Sequence, residues 1–141
     1  MKALVMPGHL IRRLNQISTQ VFASRVQGAG FDLTPVQFAA MDAIASNPGI
    51  DQAGVAALIA YDRATIGGVI DRLEQKGYVL RKVRKDDRRA RELQLSSQGA
   101  RVFDEILPLV TELQADILPG LDDAERSRFL DLARKAIGGS V

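Results

Sequence analysis

Asp62-Arg63-Ala64-Thr65-Ile66-Gly67-Gly68-Val69-Ile70-Asp71-Arg72-Leu73-Glu74-Gln75-Lys76-Gly77 leads directly into Tyr78-Val79-Leu80-Arg81-Lys82-Val83. A basic stretch, 84–91, then separates that segment from Glu92-Leu93-Gln94-Leu95. Asp62 suits a helix cap, and Gly77 suits the position just past a last helical turn. After Gly77 the apolar spacing changes from helical to alternating. This predicts a helix over 62–76, then two strands with 84–91 as the tip of a hairpin.

The sequence upstream reads as three more helices. Leu10, Leu14, Ile17 and Val21 recur at helical spacing, which predicts a helix over about 7–26. Gln27-Gly28-Ala29-Gly30 ends it. Thr34-Pro35-Val36-Gln37 combines a cap, a proline suited to the first helical position and the glutamine of a capping box. That helix should reach about Ser46, where Asn47-Pro48-Gly49 stops it. Asp51 can cap a short helix to about Ile59. Downstream, Ser96 can cap a long helix with Val102, Ile106, Leu109, Val110, Leu113 and Ile117 on one face, kinked at Pro108 and ended by Pro119-Gly120. Asp122 and Glu125 form another capping-box pair, ahead of Phe129, Leu130, Ala133 and Ile137.

The order is therefore mainly α with one small β-hairpin: a winged helix-turn-helix part over about 31–96, flanked by helices at about 7–27 and 97–138. In such an arrangement a helix enters the major groove of DNA and the hairpin reaches the adjacent minor groove. Composition narrows the function classes. The 141 residues suit one domain, and 46% hydrophobic with 26% charged residues suits a globular chain. No apolar run is long enough to span a membrane, and the start is too short an apolar run for a secretory signal. The expected location is the cytoplasm. There is no Cys and one His, which removes thiol chemistry, disulfides and multi-histidine metal sites. No nucleophile–base pair or nucleotide fingerprint is present, so no catalytic residues, metal or cofactor are expected, and the chain is not expected to be an enzyme.

The charge is unevenly placed. Residues 62–91 hold ten basic and five acidic residues, a local +5, while the remainder holds nine and twelve, or −3. Such a patch suits a polyanion; a solvated basic loop is the plainer alternative. A winged helix that docks an acidic protein instead of DNA is a further alternative, because fold does not fix function. On the reader helix, Arg63, Thr65, Gly67, Gly68 and Arg72 are the candidate DNA contacts. The glycines are open to two readings: close approach to DNA, or tight packing against a neighbouring helix.

From Asp62-Arg63-Ala64-Thr65 through Leu73-Glu74-Gln75-Lys76-Gly77-Tyr78-Val79, Arg81, Asp87-Arg88-Arg89, Leu93-Gln94-Leu95-Ser96 and Gly99, the chain resembles the multiple-antibiotic-resistance regulator (MarR) family of bacterial transcription factors. Leu33-Thr34-Pro35-Val36-Gln37-Phe38 resembles the start of that family's second helix. The family usually has Thr where this chain has Ser96, a conservative change at a cap. The resemblance implies a homodimer on a pseudo-palindromic operator, usually as a repressor, with the terminal helices at the dimer interface. It implies that Arg89 enters the minor groove, that Asp87 orients it, and that Arg84, Lys85, Arg88 and Arg91 meet phosphates. Strand alternation places Arg89 and Arg91 on one side and Arg88 on the other.

The resemblance also implies a switch in many members; the absence of Cys excludes thiol oxidation and the single His argues against a metal, which leaves a small organic ligand or no ligand at all. On a helical wheel His9 and Arg13 border the apolar face, roughly 40° apart, while Arg12 points away. Arg13 could hold a carboxylate or an intersubunit salt bridge. Phe38 and Met41 could meet an aromatic guest or belong to the core. Gly8-His9-Leu10-Ile11-Arg12-Arg13-Leu14-Asn15-Gln16, followed by Leu33-Thr34-Pro35-Val36-Gln37-Phe38, is similar to family members that control breakdown of aromatic acids and answer to an aromatic carboxylate or its coenzyme A thioester.

Overall fold

The computed structural model describes residues 1–138. Its elements are α1 (Pro7–Gly28), α2 (Pro35–Ser46), α3 (Gln52–Leu58), α4 (Ile66–Gln75), β1 (Val79–Val83), β2 (Arg91–Leu95), α5 (Ser97–Leu113) and α6 (Asp123–Ala136). Short 3-10 turns stand at Lys2–Val5 and Gln114–Asp116. The chain forms two compact units. One is Phe22–Thr111; the other combines Met1–Val21 with the described part of Glu112–Val141.

The Phe22–Thr111 unit is the winged helix. Thr34 and Gln37 form the expected capping box, each side chain paired with the other's backbone N–H at 3.2 Å. Asp51 caps α3 by accepting from the Gly54 N–H at 2.8 Å. At the end of α4, Gly77 takes φ +81°, its N–H donates to the Glu74 carbonyl and the Tyr78 N–H donates to that of Leu73. This is the Schellman closure, and it turns the chain from helix into strand. The strands pair antiparallel from Val79 with Leu95 to Val83 with Arg91. Backbone bonds between Leu93 and Gly49 and Ile50 tie β2 to the loop after α2.

Ser96 links the hairpin to α5. Its hydroxyl donates to the Gly77 carbonyl and accepts from the Gly99 N–H at 2.9 Å. A Cβ at position 99 would overlap the Tyr78 carbonyl oxygen, so glycine there reflects close approach of α5 to the backbone behind it. α2 packs on α3, α4 and β2, and α4 packs on α3 and β1. Met41, Ile44, Val55, Ile66, Ile70, Leu73, Val79 and Leu93 are fully buried in this unit.

Three expectations need correction. The reader helix does not start at Asp62. The Asp62 carboxylate accepts from the Ala64 N–H at 2.9 Å and its carbonyl accepts from Thr65 and Ile66, so 62–65 form a turn ahead of α4. Asp62 does organise that helix start, but one turn earlier than its capping reading placed it. The long helix after Ser96 ends at Leu113 rather than near Ile117, and it continues through Pro108. The alternation assigned to the wing tip also fails: β2 begins at Arg91, and Arg88 and Arg89 lie in a turn, where period-two geometry does not apply.

The terminal unit holds the start of α1 and all of α6, the latter opened by the Asp122–Glu125 capping box. No residue of α6 is buried. Among the described residues no helix is long and apolar enough to cross a membrane.

Candidate nucleic-acid interface

The basic segment divides into cations held by the protein and cations left free. Lys76 donates to the Asp32 carbonyl and to Gln37 Oε1 at 3.1 Å, joining the end of α4 to the start of α2. Arg81 reaches Asp71, Glu74 and Gln52. Arg84 lies 3.5 Å from Glu92 and donates to the Gly49 carbonyl. Arg91 donates to the Arg88 carbonyl at 2.7 Å. Phosphate contact by Arg84 or Arg91 therefore competes with bonds already made inside the domain.

Among the described residues, Arg63, Arg72, Lys82, Lys85, Arg88 and Arg89 are exposed and none of them makes an ion pair. Arg63 and Thr65 occupy the turn before α4, and Thr65 donates from its hydroxyl to the Asp62 carbonyl at 3.2 Å. Arg72 lies two turns into the helix. A groove of about 330 Å³ runs beside it, between Thr34 and Gln37 on one side and Thr65, Gly68 and Arg72 on the other. At the wing, the Asp87 carboxylate accepts from the backbone N–H of Arg89 at 2.9 Å. Asp87 thus shapes the turn that carries Arg89 rather than gripping its guanidinium. The free cations can meet phosphates or guanine edges without first breaking an ion pair.

The two glycines separate. A Cβ at Gly67 would meet Gln52 at 3.5 Å, an ordinary contact, and a Cβ at Gly68 would meet nothing within 4 Å. Tight helix packing therefore requires neither glycine. Gly68 opens outward on the groove, where a smooth backbone permits close approach by an outside surface.

Of the residues expected near a small ligand, His9 is half-buried and Arg13 exposed on α1. In the winged-helix unit Met41 is fully buried, in keeping with a core position. Phe38 is half-buried between Phe22 and Phe103, with ring centroids 6.2 and 5.6 Å away. Sequence reasoning missed Gln52 and the role of Arg81. Neither carries a local signal, because their partners come from other elements. Among the described residues no group of three or more His, Asp or Glu could hold a metal ion.

Comparison with known proteins gives concordant results. A family model described as MarR family matches residues 31–90. The transcriptional regulator HosA of Escherichia coli is 32% identical over 127 residues, covering 90% of this chain and 91% of HosA. Among solved structures, Bordetella bronchiseptica BpsR, whose DNA binding is regulated by 6-hydroxynicotinic acid, is 27% identical with a TM-score of 0.86, covering 96% of each chain. The transcriptional repressor CouR, solved on a 23-mer DNA duplex, is 25% identical with a TM-score of 0.84, covering 94% of this chain and 92% of CouR.

Proposed function

The chain belongs to the MarR family of transcriptional regulators, and we propose that it acts as a homodimeric repressor released from a pseudo-palindromic operator by a small aromatic carboxylate or its coenzyme A thioester. One observation carries the DNA part: among the described residues, cations of the turn before α4, of α4 itself and of the wing tip are exposed and their charged groups have no internal partner, while neighbouring cations are bonded within the fold. A two-fold dimer presents two such readers to two half-sites, which matches operator symmetry to protein symmetry. Arg63, Thr65 and Arg72 read or grip the major groove, Gly67 and Gly68 let the helix approach, and Arg89 enters the minor groove from the turn set by Asp87. Lys85 and Arg88 meet phosphates, and Arg84 and Arg91 contribute less because they are engaged at home.

The dimer reading is supported by the terminal unit, where Leu4, Val5, Met6, Leu10, Ile11, Leu130 and Leu132 leave large apolar side chains in solvent. The repressor and ligand readings are supported by relatives: CouR is a repressor solved on DNA, and BpsR answers to an aromatic carboxylic acid. Arg13 offers a guanidinium for a carboxylate and His9 a second polar partner, whereas Phe38 and Met41 offer apolar contact. An Arg13→Ala variant is expected to bind DNA normally and to respond to the acid only at higher concentration.

The experiment is fluorescence anisotropy against DNA from just upstream of the chain's own gene, with scrambled DNA as control, across a salt series. Preference for the upstream duplex and a steep salt dependence are expected. Arg89→Ala should lower the slope of log K against log salt by about one unit. An unchanged slope removes Arg89 from the interface.

A further inference from the structure

Arg81 has an unusual set of partners for a residue in a basic patch. It stands on β1, yet Nη1 donates to Asp71 Oδ1 at 2.6 Å and to Glu74 Oε1 at 3.4 Å, both on α4. Nη2 donates to Gln52 Oε1 at 2.6 Å on α3 and to the Gly67 carbonyl at 3.4 Å in the first turn of α4. Nε is buried and has no partner. The side chain is only 20% exposed. No nitrogen of this guanidinium is left to face a phosphate, so Arg81 cannot do what the free cations around it do.

Its contacts join the wing strand to both helices of the helix-turn-helix. They also occupy the two carboxylates that α4 carries, Asp71 and Glu74, which would otherwise stand unpaired on a helix that meets a polyanion. The planar fork matters here. Two bonds of 2.6 Å leave separate nitrogens toward different helices, a geometry that a lysine ammonium cannot reproduce from one point.

We infer that Arg81 is a positioning residue for operator recognition: it sets the wing against the reader helix and partly offsets the charge of Asp71 and Glu74, which stay about half exposed toward an incoming polyanion. This rests on the DNA-binding reading above. It predicts a particular failure when the fork is lost. A phosphate contact, once removed, weakens all DNA alike, whereas a misplaced wing costs discrimination between sequences.

The test uses duplexes selected from a random library by the wild-type protein, with scrambled duplexes as reference. Arg81→Lys keeps the charge and removes the fork. It is expected to lose about tenfold in affinity for the selected duplex and about threefold for scrambled DNA, the smaller common loss coming from the carboxylates freed of the fork. Asp71→Asn with Glu74→Gln should raise affinity more in the Arg81→Lys background than in the wild type, because in the wild type the carboxylates are already paired with the fork. This second measurement keeps Arg81 itself in one arm and reads binding of folded protein, with folding checked by circular dichroism. Wild-type discrimination by Arg81→Lys, equal loss on both duplexes, or additive effects of the carboxylate changes would each overturn the inference. Failure of the wild type to select any duplex removes the DNA-binding reading instead, and is visible before any variant is made.

Discussion

The winged-helix unit and the terminal unit both contain helices that carry apolar side chains, but these are buried to very different degrees. Apart from Leu113, every buried apolar side chain among the described residues lies between Phe22 and Thr111. The terminal unit instead exposes Leu10 at 47%, Ile11 at 64%, Leu130 at 47% and Leu132 at 54%. An apolar stripe states that a helix face needs covering; it does not state by what. In the first unit the covering comes from the same chain, through close-packed contacts set by α2. In the second the apolar side chains stay exposed, and a two-fold partner would cover them in the proposed dimer.

Substitutions can break or sharpen this contrast. The largest effect is expected inside the self-sufficient unit. Gly99→Ala forces a methyl into the Tyr78 carbonyl, which cannot rotate away, and should destabilise the protein by about 3 kcal/mol in urea unfolding. An unchanged midpoint would mean that α5 can lift off the hairpin freely. In the terminal unit, Leu130→Glu should leave the circular dichroism spectrum intact. Its effect should appear in sedimentation as self-association weakened by about 2 kcal/mol, with a melting temperature that no longer rises with concentration. A variant that stays fully dimeric would assign the exposed face to another partner.

At the interface the expected effects are smaller and opposed in sign. Gly68→Ala meets open space and improves helix propensity, so stability should rise by about 0.5 kcal/mol. DNA binding should nevertheless weaken by about 1 kcal/mol in anisotropy titrations, since the methyl would stand on the face proposed to meet the duplex. Equal or tighter binding would return this glycine to a purely local role. The smallest effect is at the helix-turn-helix bend. Ala60 takes φ +54° and closes α3 with the Tyr61 N–H on the Ala56 carbonyl, the place where glycine is favoured. Ala60→Gly relieves that strain but frees the unfolded chain, for a net gain of about 0.5 kcal/mol in thermal unfolding.

Local chemistry made much of the fold legible. Thr34, Asp51, Gly77 and Asp122 act on groups three or four residues away, so their signals survive in one dimension, and the reading of caps and stops held to within a few residues. Asp62 is the instructive miss. A cap and a turn use the same carboxylate-to-amide bond, and the choice between them depends on where the helix can pack. The free and held cations of the basic segment are indistinguishable as letters. Their sorting depends on Asp71, Gln52, Gly49 and Asp32, which come from other elements.

The sequence by itself determined the order of helices and hairpin, the family and the site of the positive charge, because periodicity, caps and charge runs are local properties. Only the tertiary structure decided which arginines are available to an outside polyanion, because pairing across elements requires distances that chain order does not encode. The same reason separates Gly99 from Gly68: both are glycines on helices, and one is required by a carbonyl 21 residues earlier while the other faces open space.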